Sequence, residues 1–135
     1  MSFCSVSQKQ SLSFLFNMAS LGWVFRVPQQ HPWIVISDPA KHPDLQCLCI
    51  NITDETNYHG GGLILDPGTH PWIVKPSVLY FAEAIETRAT LIDLRIRQNH
   101  ILRGDDAETK LLLKIIDACR KSKYLPRNLR HYLHL

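Results

Sequence analysis

The pentapeptide His-Pro-Trp-Ile-Val occurs twice in this 135-residue chain, beginning at His31 and again at His70. Histidine gives and takes protons near neutral pH, so two histidines can supply the general base and general acid of a proton-transfer reaction. Thr53 can donate a hydrogen bond to a charged oxygen, and Lys75 can offset negative charge. If the fold brings these four side chains together, they would make up an acid–base site with charge stabilisation.

Both histidines also have a structural interpretation. The proline that follows each one biases it toward extended backbone, so His31 and His70 can cap a turn or bond a backbone carbonyl at the start of a strand. The flanking sequences differ, with ISDPAKHP after one copy and KPSVLYFA after the other. A true repeat extends over a whole supersecondary unit. Similar local requirements therefore explain the shared pentapeptide.

Other chemistries lack the necessary spacing. Cys47 and Cys49 are separated by one residue, and neither Cys-x-x-Cys nor His-x-x-x-His occurs, so no metal or other cofactor is predicted. The glycines at 60–62 do not join a strand to a helix, which argues against a nucleotide loop. The four cysteines form no secreted framework, and reduced thiols in a cytoplasmic protein are predicted.

The composition indicates a globular chain, with 45% hydrophobic and 20% charged residues. Its net charge of +3 is uneven, because residues 110–135 carry seven Lys/Arg and a single acid. A basic end of this kind attracts phosphate, or it is a solvated helix face. No apolar run reaches the roughly 20 residues that a membrane span needs, so no membrane partner is predicted.

The apolar patterns predict mainly strands, followed by a helix. Strands are predicted at 22–27, 33–37, 45–53, 63–66, 72–74, 77–84 and 90–98. The strand at 45–53 is apolar on both faces and should be central. Asp105 and Glu108 form a variant capping box, after which Leu112, Ile115 and Cys119 follow at helical spacing. A second short helix is predicted from Pro126.

These elements predict a β-rich α+β fold, in which residues 22–97 form a curled antiparallel sheet or small barrel and residues 105–121 form a helix on it. Residues 1–21 are interpreted as an N-terminal extension, with Met18 as a possible true start. Residues 22–135 then form a single domain.

The order of GWVFRV, HPWIVISDP, LCINIT and PSVLYFAEA, followed by a leucine-rich segment and a helix, resembles the MazF/PemK group of bacterial toxins over residues 22–122. The resemblance implies an SH3-like barrel, a homodimer, an antitoxin partner and metal-independent cleavage of single-stranded RNA. Gly22 and Thr53 match the family pattern, whereas His31 stands where the family carries arginine.

The predicted catalytic residues are His31 and Thr53, which lie at the positions of the family pattern, and His70, which has no counterpart in that pattern and is selected as the second histidine of an acid–base pair. Trp33 can stack on unpaired bases, and Lys75, Ser77 and Tyr80 complete the predicted RNA-binding set. Residues such as Trp33 and Trp72 more often fill the core of a small barrel, and the core interpretation is favoured for both. The alternative hypothesis is a non-catalytic SH3-like module that binds protein or nucleic acid through its basic C-terminal helix.

Overall fold

The computed structural model describes residues 18–55 and 63–134. Its five strands are β1 (Val24–Arg26), β2 (Trp33–Val35), β3 (Gln46–Thr53), β4 (Val78–Arg88) and β5 (Leu102–Arg103). They form one antiparallel sheet in the order β4-β3-β2-β1-β5. The predicted antiparallel α+β architecture is confirmed, and the sheet is open rather than closed into a barrel.

Helical segments cover both faces of the sheet. The α-helices are α1 (Ala89–Arg97) and α2 (Thr109–Lys121), and short 3-10 helices form at Pro39–Lys41 and Arg127–His134. One core cluster joins the sheet to α2 and the C-terminal 3-10 helix, and the other joins the opposite face to α1. Along β3, Leu48, Ile50 and Ile52 point into the first cluster while Cys47 and Cys49 point into the second. This division explains why the central strand is apolar on both faces.

The strand predicted at 90–98 is wrong, because this segment lies in α1. Ala89 and Ile92 are buried at helical spacing, and Ile96 packs against the same cluster one turn later. Leu91 and Leu94 remain exposed. Apolar residues at nearly every second position also fit a strand. The second face of the sheet is apolar and has to be shielded from water, and helix α1 shields it.

The strands predicted at 63–66 and 72–74 are also absent. Leu65 makes an isolated antiparallel bridge to Ser77, and β4 begins only at Val78. The second pentapeptide forms a turn, in which the Gly68 N–H bonds the Ile73 carbonyl at 2.8 Å and the Ile73 N–H bonds the His70 carbonyl at 2.9 Å. The two copies of HPWIV therefore adopt different backbone structures.

The predicted capping box does not form. Helix α2 begins at Thr109, four residues after Asp105, and Glu108 makes no side-chain capping bond. The preceding segment runs beside β1 instead, since the Gly104 N–H bonds the Val24 carbonyl and the Ala107 N–H bonds the Gly22 carbonyl, each at 2.8 Å. The helix predicted from Pro126 is present as the 3-10 helix Arg127–His134.

The packed part of the described chain begins before Gly22. Met18 and Ala19 are buried in the cluster beneath α1, together with Trp23. The proposed extension up to residue 17 lies outside the described residues. Within 18–55 and 63–134, no helix combines the length and the apolar character needed to cross a bilayer.

Candidate functional site

A small cleft lies between the two copies of HPWIV. The first copy contributes His31 and Pro32 to its walls, and the second contributes residues 72–74. Asp54, Lys75 and Ser77 complete the polar lining. The cleft volume is about 40 Å³, enough for a water molecule or a phosphate oxygen but not for a base. Tertiary structure thus brings the two pentapeptides to one site.

The pairing of β2 with β3 places His31 at this cleft. Trp33 lies opposite Asn51 in the register, so the residues before β2 run beside the end of β3. The Pro32 carbonyl accepts the Ile52 N–H at 2.8 Å and the Asn51 side-chain amide at 3.2 Å. Proline at this position cannot donate to the sheet, and its carbonyl secures the strand start. His31 is therefore held beside the residues that follow β3.

His31, Asp54 and Lys75 form a cluster of charged and titratable groups. His31 Nε2 lies 3.7 Å from Asp54 Oδ1, and Lys75 Nζ lies 3.9 Å from Asp54 Oδ2. The side chains are 46%, 37% and 71% exposed, respectively, so these pairs add little stability and are open to a ligand. The cluster can transfer a proton and bind an anion.

The sequence motifs did not identify Asp54 as a site residue, although its position directly after an apolar strand could have indicated it. It directly follows the last residue of β3, Thr53. Polar residues at strand ends often lie at functional sites, since the sheet fixes their backbone while their side chains reach solvent. The sequence interpretation had chosen Thr53 instead, one position earlier.

Thr53 itself is buried and is not part of the cleft lining. Its side chain accepts the Glu55 N–H at 3.1 Å, which stabilises the turn after β3. The residue is only 2% exposed. In this conformation Thr53 shapes the turn that presents Asp54.

His70 is buried, and both of its ring nitrogens bond to backbone. Nδ1 accepts the Trp72 N–H at 3.0 Å, so the ring proton resides on Nε2. Nε2 then donates to the Asp105 carbonyl at 2.6 Å. This neutral imidazole fixes the turn of the second pentapeptide and ties it to the segment before α2. His31 and His70 are therefore not arranged as a proton-exchanging pair.

Trp72 forms a fixed wall of the cleft. The Arg26 guanidinium lies 4.3 Å from the centroid of its ring, a cation–π arrangement. Gly104 also approaches the ring, because a Cβ built there would lie 3.0 Å from three of its carbon atoms. Arg26 Nε is buried and has no hydrogen-bond partner within the described residues. Sequence reasoning had not selected Arg26, whose role depends on the folded position of Trp72.

The remaining predicted RNA contacts are dispersed. Trp33 is half-buried and packs against the cluster under α1, away from the cleft. Ser77 lines the cleft, and its hydroxyl donates to the Lys75 carbonyl at 2.8 Å. Tyr80 is half-buried in β4, opposite Asn51 in the register. Of the four predicted RNA contacts, Lys75 and Ser77 are the two that line the cleft.

The described cysteines are buried, which disfavours reactive or ligand chemistry. The Cys47 and Cys49 sulfurs lie 3.9 Å apart inside the core. A hydrogen bond with Cys47, together with burial, raises the pKa of the Cys49 thiol well above its usual value. Burial likewise raises the pKa of Cys119 to about 12. Across 18–55 and 63–134, no group of three or more His, Cys, Asp or Glu side chains is arranged to hold a metal.

The basic C-terminal region divides into structural and exposed cations. The Arg120 Nε donates to the Leu133 carbonyl at 3.1 Å, and Arg130 donates to the Ser122 carbonyl, so both arginines hold the C-terminal 3-10 helix. The other cations in this region are exposed: Lys110, Lys114, Lys121, Lys123 and Arg127. A basic surface therefore remains after the structural contacts are accounted for.

Comparison with protein-family models, curated proteins and solved structures gives no match for this chain.

Proposed function

We propose that this protein is a metal-independent endoribonuclease that cleaves single-stranded RNA in the cleft between the two pentapeptides. The observation that carries the proposal is the convergence of His31, Asp54 and Lys75 at an exposed site. An imidazole beside a carboxylate and an ammonium is the minimal equipment for proton transfer at a phosphodiester without a metal.

The chemistry assigns a role to each side chain. His31 takes the proton from the 2′-hydroxyl, whose oxygen attacks the adjacent phosphorus. Lys75 offsets the negative charge of the phosphorane. The bond from phosphorus to the 5′ oxygen then breaks, and this oxygen takes a proton from water in the open cleft. The products are a 2′,3′-cyclic phosphate and a 5′-hydroxyl.

Asp54 has two opposing effects in this mechanism. Its carboxylate can orient the His31 ring and stabilise the imidazolium that forms, as carboxylates do for catalytic histidines. Its negative charge also occupies the position between His31 and Lys75 where a phosphate must approach. RNA binding therefore has to draw Lys75 away from Asp54, at least in part.

The wider proposal is that the chain is a MazF/PemK-like toxin. It includes an SH3-like curl of the sheet, a homodimer, an antitoxin partner and action in the cytoplasm. The order of the sequence motifs supports this assignment. His31 then takes the place of the family arginine, and Lys75 supplies the positive charge.

A second candidate function is a non-catalytic binding module. The hydrogen bonds of Thr53 and His70 favour it, because the Thr53 side chain and both His70 ring nitrogens are bonded to the protein's own backbone. These groups are therefore not free for catalysis. In that case the exposed cations of the C-terminal region form the binding surface.

The deciding experiment is cleavage of a labelled single-stranded RNA by the purified full chain in excess chelator. We expect cleavage to a 2′,3′-cyclic phosphate, with His31→Ala and Lys75→Ala each slowing it by about 10²-fold. His100→Ala and Lys123→Ala are matched controls, because both residues are exposed and lie outside the cleft lining. If the wild-type chain cleaves no RNA but binds it, the binding module is the better description.

A further inference from the structure

A second, larger groove adjoins the cleft. It lies between residues 63–69 and the first turns of α2, with a volume of about 230 Å³. Its apolar lining comes from Leu63, Ile64, Leu65 and Leu111. This volume is below the range of most drug-sized pockets, and it is suited to a single aromatic ring system.

One backbone bridge separates the groove from the cleft. The Leu65 N–H bonds the Ser77 carbonyl at 2.7 Å, and the Ser77 N–H bonds the Leu65 carbonyl at 3.0 Å. Leu65 lines the groove and Ser77 lines the cleft. Paired backbone segments lie about 5 Å apart, so the groove and the cleft lie on neighbouring segments of the chain.

Four charged side chains surround the apolar lining of the groove. Lys110 and Lys114 lie one helical turn apart and face the same way. Neither forms an ion pair with any other described residue. Asp66 and Glu108 also line the groove, so its formal charges balance. A simple anion would gain little from this mixture of charges.

A nucleotide fits the charged and apolar groups of the groove better than a simple anion does. Its phosphate can bind the two ammonium groups, its base can lie against the leucines, and carboxylates accept hydrogen bonds from exocyclic amino groups. We propose that this groove is a nucleotide subsite for single-stranded RNA, occupied by the nucleotide next to the phosphate that enters the cleft. The substrate class in this inference rests on the proposed function.

The test measures binding without cleavage. A fluorescent, single-stranded 2′-O-methyl RNA lacks the attacking hydroxyl, so fluorescence anisotropy reports its affinity for the full chain even if catalysis is present. The test variant is Lys110→Gln/Lys114→Gln. The control is Lys123→Gln/Arg127→Gln, which removes two exposed cations from the same region outside the groove. Melting curves verify that both variants are folded.

We expect the groove variant to lose about tenfold or more in affinity, and the slope of log K against log salt to flatten by about 0.7, the value for one phosphate of a single strand that is no longer neutralised. The control should lose less than about threefold, as a long-range effect of charge. Equal losses in the two variants, or no binding by the wild-type chain, would overturn the subsite.

The outcomes separate the subsite from the catalytic proposal. If the wild-type chain binds the RNA analogue through the groove but cleaves no RNA, the ribonuclease assignment is wrong and the subsite is supported. If the wild-type chain cleaves RNA and the groove variant binds and cleaves it normally, the ribonuclease activity is supported and the subsite is wrong.

The two carboxylates predict a base preference. Adenine, cytosine and guanine carry exocyclic amino groups and uracil does not. We therefore expect oligo(A) and oligo(C) analogues to bind several-fold more tightly than oligo(U), and Asp66→Asn/Glu108→Gln to reduce this difference. An unchanged preference in that variant would show that the base is not read in the groove.

Discussion

His31 and Asp54 face each other at the ends of two neighbouring strands, with Nε2 of the imidazole 3.7 Å from Oδ1 of the carboxylate. The contact is longer than a hydrogen bond and is open to solvent. Lys75 approaches the other carboxylate oxygen at 3.9 Å. Asp54 is therefore placed to influence both the imidazole and the ammonium group that a phosphate would meet.

Asp54→Asn should separate RNA binding from catalysis. Loss of the carboxylate removes repulsion of the phosphate, so we expect a lower KM. It also removes the charge that stabilises the His31 imidazolium, so we expect kcat to fall about tenfold or more. Glu55→Gln is the matched control, because Glu55 is the exposed neighbouring acid. Steady-state kinetics that show equal effects of the two substitutions would remove the special role of Asp54.

His70→Ala should act mainly on stability. Two backbone hydrogen bonds are lost at a buried site and a cavity remains, so we expect a loss of about 2–4 kcal/mol in the free energy of unfolding. His31→Ala should cost less than about 1 kcal/mol, because this side chain is half-exposed and weakly paired. Urea unfolding of both variants measures the difference. A folded His70→Ala protein with unchanged stability but no cleavage would give His70 a catalytic role instead.

Gly104→Ala should disturb the wall of the cleft. The new methyl group would lie 3.0 Å from three atoms of the Trp72 ring, which is tighter than most contacts that a Cβ atom makes. We expect a cost of about 1–3 kcal/mol from overpacking. The same substitution should cost less in a Trp72→Leu background, where the six-membered ring is missing. A double-mutant cycle measured by urea unfolding checks this, and simple additivity would contradict the proposed contact.

Tyr132 should make stability depend on alkaline pH. Burial, together with a hydrogen bond to Glu86 at 2.5 Å, raises the Tyr132 pKa well above its usual value. The folded state therefore retains this proton after the unfolded chain releases it, near pH 10. The stabilisation is complete below that pH and is lost as the pH rises toward the folded-state pKa.

The measurement is the pH dependence of unfolding free energy for three proteins. Above about pH 10, the wild-type chain should lose stability more steeply than Tyr132→Phe. Tyr124→Phe should follow the wild-type curve, because the Tyr124 residue is 55% exposed. Parallel curves for the wild type and Tyr132→Phe would contradict the assignment.

Strands β1 to β3 and helix α2 followed from local patterns. Strand β3 carries apolar residues on both faces, and α2 repeats them at helical spacing, so neighbouring residues alone indicate the elements. Residues 90–98 were different. Their alternation fits a strand, yet Ile92 and Ile96 also lie on one side of a helix. The uncovered face of the sheet, with Cys47 and Cys49, decides between them, and that face exists only after the strands have paired.

The residues of the candidate site were also predicted only in part from the sequence. Residue type identified His31 and Lys75 as groups able to transfer a proton and to bind an anion. The β2–β3 register adds Asp54 to them. For His70 the residue type was equally suitable, but Nε2 donates to the carbonyl of Asp105, a residue 35 positions away, and the bond occupies that nitrogen. A sequence specifies the chemistry that each side chain can perform, whereas the long-range pairing of backbone segments decides which side chains meet and which are already bonded.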